Sequence, residues 1–300
     1  MTPWSKLDHI KWLCPVPGYD RHFAICEHLG IEMINIPMNE FEPDMDMVEE
    51  LIKDPSVKGI WCVPKYSNPT GITYSKDVVE RFAKLKPAAK DFRIYWDDAY
   101  TIHHLYDGRQ DYLPEILTLA SSFNNENIVY KFLSTSKITF PGSGVSALIA
   151  SKRNLEDKLA HLKYKIIGYD KINQLRHVRY FKNLDNLELH MKKHADILRP
   201  KFELIEDMFS HNLKGLATWS NPNGGYFISL YVKNKAKEVI NRCNECGVKI
   251  SDVGCAYPYH IDKDNSHIRI APSYVSLVEL KIAIEVLCLA VKIETSNSEK

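Results

Sequence analysis

VKGIWCVPKYSNPTGITYSKDVVERFAKLKP, residues 57–87, holds the reading on which the fold turns. Residues 57–64 are β-prone and, apart from Lys58, apolar, residues 65–74 are polar and punctuated by Pro69 and Gly71, and residues 75–87 follow a helical pattern. A strand, a loop and a helix in that order make the unit from which parallel sheets are built. The same alternation extends both ways. Upstream, IKWLCPV (10–16) and IEMINIP (31–37) read as strands, and DRHFAICEHLG (20–30) and DMDMVEELIKD (44–54) as helices. In the second helix Asp46 and Glu49 have the spacing of a capping box. Downstream, FRIYWD (92–97) and NIVYKFLST (127–135) are strand-like, with the helical LPEILTLASSF (113–123) between them. The pattern predicts an α/β fold, a mainly parallel sheet sandwiched by helices, with any ligand beyond the carboxyl ends of the strands.

The second half reads differently. From 154 to about 212 the pattern is helical, ending in LELHMKKHADILRPKFELIEDMF (187–209), and short strands follow in GYFISLYV (225–232) and HIRIAPS (267–273). This predicts a large domain over 1–190 and a smaller α+β domain over 191–300. The apolar stretch 280–293 is interrupted by Lys281, Glu285 and Lys292, and Leu280, Ile284, Leu287 and Val291 form one helical stripe. It reads as a docking helix, too short and too charged for a membrane span. The polar tail TSNSEK (295–300) reads as disordered.

Composition narrows the class. With 300 residues, 45% hydrophobic, 26% charged and a net charge of +1, the chain looks like an ordinary globular protein with no electrostatic bias towards nucleic acid or membrane. Its seven cysteines are odd in number and scattered, which points to a reducing, cytoplasmic setting. The lone C-x-x-C of Cys243 and Cys246 falls in a helical pattern and reads as core packing. The N-terminal residues show no basic region followed by an apolar run, so no signal peptide is read.

Three motifs sit at strand ends. Asn68-Pro69-Thr70-Gly71 alone is a turn signal. Asp97-Asp98-Ala99-Tyr100 places a carboxylate at the end of a buried strand, where it needs a positive partner. His103 and His104 lie near, but no defined ligand spacing supports a metal site. Ser134-Thr135-Ser136-Lys137 follows a strand and precedes ITFPGSG, whose Gly142 and Gly144 are too few for a dinucleotide fingerprint.

Taken together and in this order, the motifs resemble the fold-type I pyridoxal-phosphate enzymes, and within them the aspartate aminotransferase family. PGYDRH (17–22), YSNPTG (66–71) and STSKITFPG (134–142) carry the resemblance, which extends from Trp4 to the last helix. It implies pyridoxal 5'-phosphate as cofactor, with Lys137 holding its aldehyde as a Schiff base and moving the proton of the substrate. It implies that Asp97 keeps the pyridine nitrogen protonated, that His22 supports Asp97 from behind, and that Tyr100 and Asn68 hydrogen-bond the phenolic oxygen. Tyr19 corresponds to the aromatic residue that stacks on the ring; without the resemblance it reads as a core tyrosine. Arg269 matches the arginine that binds the substrate α-carboxylate, with Asn68 beside it, and the segment 223–227 matches one that closes over the site.

Many relatives carry an arginine on the cofactor phosphate where this chain has Gly144, which shifts that contact towards Ser134 and Ser136. The family's Gly/Ser-rich phosphate loop, its first strand and helix and part of its small domain have no counterpart in this sequence, so the resemblance implies an N-terminally truncated chain. The implied activity is amino transfer between an amino acid, aspartate or glutamate, and a 2-oxo acid, in a homodimer. Arg176, His177 and Arg179 are candidates for the substrate's second carboxylate. A cofactor-sensing domain of a transcription regulator and a pyridoxal-phosphate lyase are the alternatives.

Overall fold

The computed structural model describes Leu7, residues 9–39 and residues 42–296; Trp4 and residues 297–300 lie outside them. A six-stranded sheet is built in the order β2 (Glu32–Pro37), β1 (Lys11–Val16), β3 (Val57–Cys62), β4 (Arg93–Asp97), β5 (Val129–Ser134) and β6 (Ser146–Ala150). The first five are parallel and β6 runs antiparallel to β5. Helices α1 (Asp20–His28), α2 (Met45–Leu51), α3 (Lys76–Lys84) and α4 (Ile116–Ser122) connect them. The expected sandwich is therefore present, with β6 as an antiparallel addition that its short sequence did not announce.

The strands form where they do because each run is apolar on at least one face. In β3 nearly every side chain is buried, and β4 alternates, with Ile94 and Trp96 turned inward. Phe82 of α3 stacks on Tyr74 at 6.0 Å and meets the edge of Trp96 at 5.7 Å, and Ile60, Ile94 and Ile116 complete this core. Helix α3 starts where Ser75 Oγ accepts from the Val78 amide. Helix α2 corrects one expectation. Its cap is Asp44, which accepts from the Met47 amide at 3.0 Å, because the extended backbone at Asp44 leaves its carboxylate facing the first turn. Asp46 and Glu49 instead pair with Arg81 of α3.

The second half has helices α5 (Lys152–Leu162), α6 (Lys171–Phe181) and the long α7 (Leu184–Asn212), followed by an antiparallel sheet of β7 (Ala217–Trp219), β8 (Ile228–Val232) and β9 (His267–Ile270). Helices α8 (Ala236–Glu245) and α9 (Leu277–Ser296) pack with it. Leu280, Ile284, Leu287 and Val291 are buried together with Phe202, Phe209 and Leu230, the docking stripe read from the sequence. Cys243 is buried in this second core and Cys246 is exposed. The position 190/191 falls within α7, which runs on into this second core. Thr295 and Ser296, expected in a disordered tail, are the last residues of α9. Among the described residues no helix is long and apolar enough to cross a membrane.

Candidate active site

Because β1, β3, β4 and β5 are parallel neighbours, their carboxyl ends share one edge of the sheet. The loop to Tyr19, the Asn68 loop, Asp97 and the Lys137 turn all leave from that edge. At the end of β4 the pleat separates Asp97 from the adjacent Asp98. Asp98 turns to a sealed position, 3% exposed, with Lys131 Nζ 3.2 Å from its carboxylate. Burial pushes the Asp98 carboxyl up, and the Lys131 ammonium works against that rise. Asp97 faces the other way and accepts a hydrogen bond at 3.1 Å from His22 Nε2. The His22 ring is stacked on Trp61 at 4.2 Å and 9°, which fixes the imidazole behind the carboxylate.

Lys137 Nζ lies 4.9 Å over the Tyr100 ring. Burial holds the Lys137 amine below its usual range, and the Asp97 charge opposes this. Tyr100 is 2% exposed; burial, with the Asp97 charge adding to it, raises its phenol well above the ordinary value, and the Asn68 side chain hydrogen-bonds the phenol. Asn68 is itself 3% exposed, and its Oδ1 is a buried acceptor with no hydrogen-bond partner among the described residues. Tyr19 packs edge-on to His22 at 5.0 Å and senses the charges of both Asp97 and Arg269.

The structure therefore brings together Tyr19, His22, Asn68, Asp97, Tyr100 and Lys137, with Arg269 at the margin. Sequence reasoning missed the partners of Arg269, which donates from Nη1 to Asp20 at 3.1 Å and from Nε to Ser251 Oγ at 3.3 Å. Ser134 Oγ donates to Ser136 Oγ at 2.9 Å and accepts from the Ser136 amide, so the two hydroxyls form one unit next to Lys137. At Gly144 a Cβ would come 2.4 Å from Ser136 Oγ and 2.9 Å from its amide nitrogen. No larger residue fits there without moving the lysine turn. Arg176 and Arg179 are exposed on α6, while His177 accepts at Nε2 from the Thr135 hydroxyl at 3.0 Å. His103, weighed above as a metal ligand, faces the Lys137 carbonyl at 3.3 Å. Beside these residues a groove of about 1240 Å³, lined by Asn35, Thr70, Asp111, Trp219 and Asn223, opens towards the β7–β8–β9 sheet.

The donor set fits a pyridine ring that carries an aldehyde, a phenolic oxygen and a phosphate. Lys137 offers an amine to the aldehyde, Asp97 an acceptor to a ring N–H, Asn68 and Tyr100 polar groups to the phenolic oxygen, and Ser136 a hydroxyl to the phosphate.

Comparison with known proteins adds the lineage. A family model described as aspartate amino-transferase matches residues 1–300. The chain is 46% identical over 287 residues to a curated protein of Mycolicibacterium smegmatis, covering 94% of this chain and 67% of that one. It is 44% identical over 288 residues to an aspartate aminotransferase of Corynebacterium glutamicum, covering 95% of this chain and 66% of that one. The chain thus spans about two-thirds of the length of these curated relatives. The crystal structure of an aspartate transaminase from Corynebacterium glutamicum superposes with a TM-score of 0.97 at 42% identity, over 100% of this chain and 71% of that one. On the matched residues and the shared architecture, the chain belongs to the aspartate amino-transferase family.

Proposed function

We propose that the site at the carboxyl edge of the sheet binds pyridoxal phosphate and moves an amino group between an amino acid, aspartate or glutamate, and a 2-oxo acid. The observation that carries this reading is the Lys137 amine, held low by burial above Tyr100 and beside the Asp97–His22 pair. When bound, the cofactor supplies an electron sink for a carbanion at the substrate α-carbon. The residues supply the rest. Lys137 Nζ, kept ready to shed its proton by burial, would hold the aldehyde until the substrate amine displaces it, and the freed amine would then take the α-proton and return it. Asp97 stabilises a proton on the ring nitrogen, and the His22 hydrogen bond fixes which carboxylate oxygen faces it. Asn68 and Tyr100 orient the phenolic side, and the Ser134–Ser136 hydroxyl pair receives the phosphate. Arg269 takes the α-carboxylate with the N–H groups left free by Asp20 and Ser251. A homodimer of such chains goes with the family, and α6 offers an apolar face for it.

The test is direct. The chain is mixed with pyridoxal phosphate, reduced with borohydride and digested, and the labelled lysine is mapped by mass spectrometry. Label at Lys137 supports the reading, and stable label at another lysine overturns it. Rates of 2-oxo acid-dependent amino transfer against elimination then separate a transaminase from a lyase.

A further inference from the structure

The main-chain carbonyl of Lys137 receives two side-chain donors from separate parts of the chain. The Tyr226 hydroxyl donates to it at 3.0 Å, and His103 Nε2 faces it at 3.3 Å. A carbonyl only accepts, so His103 carries its proton on Nε2. Its Nδ1 is left without a hydrogen-bond partner among the described residues, although the side chain is buried. A buried imidazole with a bare nitrogen costs stability, and the hydrogen bond to the Lys137 carbonyl offsets part of that cost, with the Tyr100 backbone also acting on the ring.

The two donors are also tied to each other. Residues 103–105 and 223–225 run as a short antiparallel ribbon, in which Leu105 donates to the Asn223 carbonyl at 2.9 Å and Gly225 to the His103 carbonyl at 2.8 Å. At Gly224 the ribbon leaves no room for a side chain. At Gly224 a Cβ would sit 2.4 Å from the His103 carbonyl oxygen and 2.4 Å from the Tyr66 ring, and Gly225 has φ +82°. The His103 and Tyr226 rings then pack at 5.3 Å. Segment 223–227 leads directly into β8, so whatever shifts the β7–β8–β9 sheet shifts Tyr226.

We propose that His103 and Tyr226 are positioning residues, a two-sided clamp on the Lys137 carbonyl that couples the placement of the lysine to the seating of the C-terminal sheet. The proposal rests on the reading of Lys137 given above. Neither residue reaches the reacting atoms; both act through the main chain of the lysine. With the clamp closed, the turn is pressed beneath the ribbon and water is kept from the amine. With either donor missing, the turn lifts and the amine gains hydration.

The titration of Lys137 itself reads the clamp, without cofactor. The chain is reductively methylated with formaldehyde and a mild borohydride across a pH series, and modification of each lysine is followed by peptide mass spectrometry. In the unsubstituted chain Lys137 is expected to titrate below the ordinary range of a lysine, because burial lowers it. Tyr226→Phe keeps the ring packing and loses the donor, and His103→Leu removes the other; each is expected to move the Lys137 midpoint up by about half a unit or more. His103→Gln, whose amide can still donate, is expected to restore most of the original value. Midpoints unmoved in Tyr226→Phe and His103→Leu overturn the clamp while leaving the lysine assignment standing. A Lys137 that titrates with the exposed lysines in the unsubstituted chain overturns both.

Discussion

Around Lys137 the turn from 134 to 143 buries little apolar surface beyond Ile138, yet its polar groups are taken one by one. The Lys137 carbonyl is met by His103 and Tyr226, the Ile138 carbonyl by His190 at 2.8 Å, and the Ser143 carbonyl by Asn173 at 2.8 Å. Helix α6, which supplies Asn173, is built the other way. None of its residues is buried, and Ile172, Leu175, Val178 and Tyr180 are 46–76% exposed. The first region trades apolar contact for directed bonds that permit one geometry. The second leaves its apolar side chains exposed and is tied to the turn from its other side, by Asn173 and His177. A directed network suits a side chain that must be placed to a fraction of an ångström, and a contiguous apolar face suits a surface that another surface covers.

The contrast is sharpest at the lysine. Lys137→Ala is expected to abolish the borohydride-fixed label and to lower amino transfer by about 10³-fold or more, since both the attachment point and the base are lost. Ile172→Ser on α6 should leave the label in place. Both are read in one peptide-mapping experiment. A Lys137→Ala chain that still fixes the cofactor on reduction would remove the turn from the chemistry.

What the sequence disclosed follows the same division. Parallel strands were legible because burial on both faces leaves continuous apolar runs such as 59–63, and α9 because its stripe repeats at helical spacing. β6 and β7 were not. Ser146–Ala150 lies half exposed at the sheet margin, and Ala217–Trp219 is too short for any period to show. Of the site, the residues at strand ends came through the family motifs, in which position along the chain stands for position in space. His103 and Tyr226 had no such signal, because their contact with Lys137 joins residues 34 and 89 positions apart. The adjacent histidines lacked the spacing of a metal site and had no other role to read, and the fold shows one ring turned to a carbonyl. Asp20 on Arg269, 249 positions away, was hidden for the same reason.

Acid probes the directed network next. Burial pushes His103 down to about 4, and does the same to His267, which pairs with Ser229 Oγ at 2.8 Å. Both rings titrate lower folded than unfolded, where 6.5 is ordinary. The unfolded chain therefore takes up these protons first. Their contribution is complete above about pH 6.5 and is lost as the pH falls towards 4, on the order of 1–3 kcal/mol for each ring. Asp98, whose carboxyl is raised by burial, works in the opposite sense. Urea unfolding at pH 7, 6 and 5 should show falling stability, with a shallower fall in His103→Gln and in His267→Gln. An equal slope in all three chains would mean that the buried rings are hydrated and that the Lys137 turn is looser than its bonds suggest.

The smallest effect on stability is expected on α6, and there the informative quantity is association. Ile172 is 76% and Val178 65% exposed, so changing both to serine removes no packed contact within the chain and should alter its unfolding free energy by no more than about 0.5 kcal/mol. If a second copy covers this face, as the proposed homodimer requires, the same change exposes hydroxyls in a buried interface and weakens association by tenfold or more for a loss of about 1.4 kcal/mol. Sedimentation over a concentration series reads this directly. Unchanged association with unchanged stability would move the dimer contact elsewhere, and would leave the exposed side chains of α6 to a different covering surface. Lost stability instead would mean that α6 is already packed within the chain, which would erase the contrast with the Lys137 turn.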